Sequence, residues 1–150
     1  MTRAIFFTVT LFCYCFLAQA QAPAKELATA VLKNNAAGAE ALLTAGANPN
    51  AVIEVVPGFP TTYLITAAAN GRLDVVKLLL KYKAQVNQPD GFKATALMAA
   101  AGKGNLALVT LLLASGADAR AKDDEGKDAL ALARESGSKE VVALLEQRLK

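Results

Sequence analysis

The feature that most restricts how this chain can fold is a repeat of 33 residues. Leu64, Leu97 and Leu130 are spaced by 33, and Gly71, Gly104 and Gly137 keep the same interval. Self-similarity at such a period marks an array of small structural units that bury their apolar faces only against one another. The segments Thr62 to Gly71, Thr95 to Gly104 and Asp128 to Gly137 each read as a short, alanine-rich helix. Thr62, Thr95 and Asp128 stand where a side-chain oxygen can accept from an orphan amide, and the glycines stand where the chain leaves the helix in a left-handed conformation. A second helix follows each glycine, over 73–80, 106–113 and 141–145. These second helices are apolar around more than one face, which predicts neighbours on both sides.

Leu27 to Asn50 fits as a first unit, with Leu27 aligned to Leu64, but here the interval is 37 residues, so four are inserted. Asn34 then takes the glycine position, which asparagine tolerates because its short polar side chain permits the left-handed region. Gly38 also precedes Gly71 by 33 residues but is out of register with the leucines, so that match is coincidental. Gly38, Ala39 and Ala41 stand where internal units carry Val75, Val76 and Leu78, which predicts a lightly packed first cap. At the other end Arg134 replaces Ala68 and Ala101, and Glu146 replaces Leu80 and Leu113, so that face is expected to meet water. The units run over about 24–56, 57–89, 90–122 and 123–150, with Leu79 and Leu112 between neighbours.

Gly71-Arg72-Leu73-Asp74-Val75-Val76-Lys77-Leu78-Leu79-Leu80 followed by Ala84-Gln85-Val86-Asn87, and Leu111-Leu112-Leu113 followed by Gly116-Ala117-Asp118, closely resemble the ankyrin-repeat family. The resemblance spans nearly all of residues 24–150. It implies an all-α solenoid of about four helix-turn-helix repeats with β-turn fingers, stacked into a curved array that binds other macromolecules. By resemblance, Asp90 and Asp123 open their repeats, Gly126 is a finger glycine, and Thr62 and Thr95 are the threonines of the Thr-Pro-Leu-His motif. The motif's proline is replaced by Tyr63, Ala96 and Ala129 and its histidine by Ile65, Met98 and Ala131. The threonine-to-histidine hydrogen bond is therefore missing, and apolar packing must substitute. Lys83 and Lys93 replace two turn glycines, which leaves the backbone at both places open.

Composition excludes much of the usual chemistry. With no histidine among 150 residues there is no serine–histidine or cysteine–histidine pair and no imidazole metal ligand. A net charge of +3, from 16 basic and 13 acidic side chains, is too small for a chain that lives on phosphate contacts, so no nucleic-acid partner is expected. Residues 1–20 have the layout of a cleavable signal peptide: Arg3, an uncharged run from Ala4 to Leu17, then Ala18-Gln19-Ala20. Cleavage is expected after Ala20. Ala22 also satisfies the small-residue rule but sets Pro23 beside the scissile bond. An uncleaved anchor is the alternative, although a spanning helix needs about 20 apolar residues. Cys13 and Cys15 both lie in this segment, so the processed chain carries no thiol or disulfide, and the residues before them do not suit lipid attachment. A periplasmic or secreted location follows, with no stable membrane insertion after cleavage.

The insertion makes one finger unusual. Val52, Ile53, Val55, Val56 and Phe59 concentrate β-branched and aromatic side chains where a finger would normally be polar. Exposed, they form a binding patch; folded back, they cover the thin first repeat. Phe92 is the best single anchor on the next finger. Lys93, Asp124, Glu125 and Lys127 complete the finger candidates, while Asn70 and Lys103, with Lys33 and Glu135, lie near the ends of the inner helices. Lys77 and Lys81 read as a solvated face. Asp123-Asp124-Glu125 lacks EF-hand spacing, and no phosphate loop or nucleophile elbow is present, so neither a metal nor a cofactor is expected. The reading is a monomeric, non-catalytic module that captures a protein. Resemblance to exported bacterial ankyrin proteins implies a periplasmic enzyme that it supports, such as a catalase, or a toxin that it neutralises as an immunity protein. The alternatives are an enzyme using Glu54 or the Asp123 cluster as acid and base, for which a solenoid offers only a shallow groove, and self-association through the first repeat.

Overall fold

The computed structural model describes residues 23–150, so the signal peptide expected over 1–20 and both expected cleavage points, after Ala20 or Ala22, lie outside the described residues. Helix α1 covers 23–32. It is followed by α2 (Ala36–Thr44), β1 (Val52–Val56), β2 (Phe59–Thr62), α3 (Tyr63–Ala69), α4 (Leu73–Lys81), α5 (Ala96–Gly102), α6 (Leu106–Ala114), α7 (Ala129–Ser136) and α8 (Lys139–Leu149). The inner helices α3, α5 and α7 stack in one row and the outer helices α2, α4, α6 and α8 in another. Leu64, Leu97 and Leu130 are each the second residue of their helix, so the 33-residue spacing is the repeat of the stack itself.

Local chemistry sets the helix ends. Thr62 Oγ1 accepts from the Ile65 amide at 3.2 Å, Thr95 Oγ1 from Met98 at 3.4 Å, and an Asp128 carboxylate oxygen from Ala131 at 2.8 Å. Gly71, Gly104 and Gly137 leave their helices at φ 69°, 64° and 76°, and Asn34 does the same at 55°. Among the outer helices, α2 and α6 receive side-chain caps from Asn35 and Asn105, whereas Arg72 and Ser138 provide none. Gly38 lies inside α2, where its amide meets the Asn35 side chain, and takes no part in a left-handed turn.

The interior forms between repeats. Leu79, Leu112, Val75, Val76, Leu108 and Val109 are fully buried. Ile65 and Met98, at the motif's histidine position, are buried, as are Tyr63, Ala96 and Ala129 at its proline position. Apolar packing thus occupies the place of the missing hydrogen bond. Tyr63 adds a polar tie: its hydroxyl donates to the Ala24 carbonyl at 2.9 Å, fastening α1 to the second repeat. Burial pushes the Tyr63 phenol above its ordinary pKa. In the first cap Ala39 is buried while Ala41 is exposed. In the last, Arg134 and Glu146 are exposed and pair with each other at 2.8 Å, so the two end-specific substitutions meet.

Two findings modify the sequence reading. The first finger is a strand hairpin, not a β-turn: β1 and β2 pair antiparallel, with Ile53 opposite Thr61 and Glu54 opposite Pro60. β-Branched residues favour the extended backbone, and Pro57-Gly58, with Gly58 at φ 81°, closes a tight turn. The expected boundary between 56 and 57 falls inside this hairpin. Secondly, Lys83 and Lys93 keep the left-handed conformation of the glycines they replace, at φ 68° and 60°. A β-carbon there is strained, and the surrounding turn holds it in place.

Three measurements follow from this packing. Leu79→Ala or Leu112→Ala is expected to lower unfolding free energy in urea by about 2 to 5 kcal/mol, since each would leave a void between repeats. Lys83→Gly is expected to raise it by about 0.5 to 1 kcal/mol, because removal of left-handed strain outweighs the extra freedom of the unfolded chain. Tyr63→Phe should cost about 1 kcal/mol near neutral pH. The Tyr63 pKa is raised on folding, so its contribution is present below the unfolded value near pH 10 and is lost as pH rises through the folded one. The difference in melting temperature between wild type and Tyr63→Phe therefore narrows in alkaline buffer.

Candidate protein-binding surface

Two fingers follow the hairpin, and both are built by an aspartate. One Asp90 carboxylate oxygen accepts from the amides of Phe92 and Ala94, each at 2.9 Å, and one Asp123 oxygen accepts from Glu125 and Lys127 at the same distance. Lys93 and Gly126 supply the left-handed residue in corresponding places. Backbone bonds join the fingers to each other. The Gly91 amide donates to the Pro60 carbonyl at 3.1 Å, and the Asp124 amide donates to the Phe92 carbonyl at 3.0 Å. Hairpin, second finger and third finger therefore form one rack. Glycine at 91 is required by this approach, because a β-carbon there would lie 2.9 Å from Pro60 Cγ.

The rack carries an aromatic pair. Phe59 on β2 and Phe92 on the second finger have ring centroids 5.6 Å apart, tilted by 30°, and each is 50% exposed. Val52 is 62% exposed, and Val55 and Val56 also face solvent, at a bulge between Glu54 and Val56. Ile53 must be removed from the contact set: it is only 8% exposed and belongs to the core. The two fates considered for this finger thus divide by side chain. Alternation along the strand turns Ile53 inward to cover the first repeat and leaves its neighbours outside.

The four charged finger candidates are all ion-paired. Lys93 Nζ lies 3.0 Å from Asp124, bridging the second and third fingers. Lys127 Nζ lies 3.1 Å from Glu125 and 3.0 Å from Glu135, which fastens the third finger to α7. The hydrogen bond from Glu135, then that from Glu125, raises the Lys127 pKa above lysine's ordinary range. These pairs are solvent-accessible, so they orient the tips more than they stabilise the fold. Asn70 and Lys103 are the exposed residues that cap the C-terminal ends of α3 and α5. They lie about 10 Å along the inner helices from the finger-bearing ends, apart from the aromatic pair. Lys33 is exposed as well. Lys81, expected to be merely solvated, pairs with Glu40 at 2.8 Å, while Lys77 is exposed.

Sequence reasoning missed the amides that hold the rack's spacing. Asn50 Oδ1 accepts from the Gln85 amide at 2.7 Å and its Nδ2 donates to the Lys83 carbonyl at 3.2 Å. Asn87 repeats this with the Asp118 amide at 2.8 Å and the Gly116 carbonyl at 3.1 Å. Each asparagine spans to the next repeat and satisfies its turn. The available signal was that Asn50 and Asn87 hold the same place in successive repeats.

Among the described residues, no group of three or more potential ligands could hold a metal ion, and no helix is long and apolar enough to cross a membrane. The family model for ankyrin repeats in three copies matches residues 27–123 and, shifted by one repeat, 64–148. No curated protein matches the chain. The family's repeats are protein-interaction modules, and the stacked geometry here is theirs. The chain belongs to the ankyrin-repeat family.

Proposed function

We propose that this chain is exported to the periplasm, or secreted, and there captures a protein partner on its finger rack without catalysing a reaction. The observation that carries the reading is the Phe59–Phe92 pair. It joins two repeats and stands half out of water; the Gly91–Pro60 bond fixes the backbone beneath it and each ring rests against the other, so less conformational entropy remains to be lost on binding. The Lys93–Asp124 pair beside it supplies a polar rim. A partner suited to this surface offers an apolar pocket edged by hydrogen-bonding groups. Export is supported by Arg3, the uncharged run to Leu17 and the small residues at Ala18 and Ala20. A periplasmic enzyme of the catalase kind and a toxin are the two partner classes to compare.

Partner capture from a periplasmic extract, compared with a Phe59→Ala/Phe92→Ala variant, tests the surface. Loss of about 2 kcal/mol or more of binding, roughly 30-fold, with little change in melting temperature, is the expected result. Undiminished capture would reject the rack as the site. Activity of the captured enzyme, or relief of toxicity, separates the two classes. Mass spectrometry of the exported form is expected to find Gln21 as the first residue, and retention of the intact chain inside the cell would remove the export proposal.

A further inference from the structure

The hairpin has a second side that the finger rack does not use. β2 passes its outer edge to the next finger through the Pro60 carbonyl, so Pro60 points its backbone groups away from β1. In an antiparallel pair adjacent residues alternate between facing the partner strand and facing away. Ile53, opposite Thr61, therefore exchanges its bonds with β2, whereas Val52 and Glu54, opposite Thr62 and Pro60, turn their amides and carbonyls to the outer edge of β1. Neither has a backbone partner elsewhere among the described residues. Beside this edge runs a groove of about 550 Å³ lined by Ala24, Lys25, Ala28, Val52, Ile53 and Glu54. β1 carries neither the lysine nor the proline that usually protects an exposed edge; its protection is the single charge of Glu54 and a bulge at its far end.

We propose that the outer edge of β1 pairs with the same edge of a second copy of this chain, joining two finger racks into one continuous ladder across a two-fold axis. Backbone groups that face outward at alternate residues fit only another extended strand, and the side chains favour an identical one. Antiparallel pairing about an axis at Ile53 sets each outward-facing Val52 opposite the Glu54 of the other copy. The two carboxylates are then not directly opposed, as they would be if the axis passed through Glu54. Lys25, on the rim of the same groove, supplies positive charge near them. Exposed Val52 gains cover from the other copy, and the bulge after Glu54 confines the pairing to a short stretch. The result is a weak dimer with small buried area, in which the Phe59–Phe92 pair of each copy stays free. The pairing is independent of heterologous capture on the rack.

Sedimentation of the purified protein from about 5 to about 500 μM, a span that brackets weak dimers, should show the average mass rising toward twice the monomer. Over the same dilution series, amide NMR shifts should move most at Val52 and Glu54, whose amides gain a partner, and less at Ile53, whose amide already bonds within the hairpin. Val52→Pro removes one outward donor at a position where an edge strand accepts proline, and Val52→Lys adds a protective charge without that backbone constraint. Both should abolish the concentration dependence while leaving the melting temperature of the dilute protein little changed. A mass that stays monomeric throughout, a dimer that survives both variants, or a dimer whose Val52 and Glu54 amides do not respond would each overturn the proposal. Dimerisation with the NMR changes centred on Phe59 and Phe92 would also overturn it, and would indicate self-capture on the rack.

Discussion

A helical pair of this kind cannot stand alone in water. The inner helices α3 and α5 have seven residues each and the outer helices α4 and α6 nine, below the length of about 12 to 15 at which isolated helices persist. Each repeat exists because the next one removes Leu79 or Leu112 from solvent and receives its neighbour's turn on Asn50 or Asn87. Stability is therefore a property of the interfaces. This explains why the chain can omit the family's threonine-to-histidine bond: with Ile65 and Met98 buried in that place, the interface is apolar and a polar staple is not needed.

Stacking also determines what the surface can offer. Because the helices hold one another, the fingers are free to vary, and the insertion in the first of them turned a β-turn into a strand hairpin. Through Pro60 and Gly91 the hairpin orders the second finger, and through Phe92 and Asp124 the second orders the third. The aromatic pair thus rests on a backbone ladder, which holds its two backbone segments in a fixed relation. The charges around it pair with one another, so what the tips chiefly present is shape and apolar surface.

Strain has a clear location. Lys83 and Lys93 retain positive φ because each closes a turn whose neighbours are pinned from the adjacent repeat: the Lys83 carbonyl by Asn50, and the second finger by the Gly91–Pro60 bond. A turn in an isolated hairpin would relax. Here the array over-determines the backbone, and a lysine occupies a conformation that glycine would hold at lower cost.

Much of this was legible in the primary sequence, and for one reason: features that depend on neighbours along the chain repeat wherever the unit repeats. The 33-residue spacing of Leu64, Leu97 and Leu130, the caps at Thr62, Thr95 and Asp128, the left-handed exit at Asn34 and the polar face of the last repeat all follow from local chemistry and periodicity. Features that depend on the distance between repeats were not legible. Which side of the 52–60 segment faces the core, and hence the burial of Ile53, was decided by strand register; the pairing of Lys93 with Asp124 was decided by how far apart the stack sets its fingers, and that of Lys127 with Glu135 by how the third finger lies against α7 of its own repeat. A single strand alternates inside and outside at every residue, and a one-residue shift exchanges them, so composition can place apolar side chains in a finger but only the assembled stack can say which of them meet water.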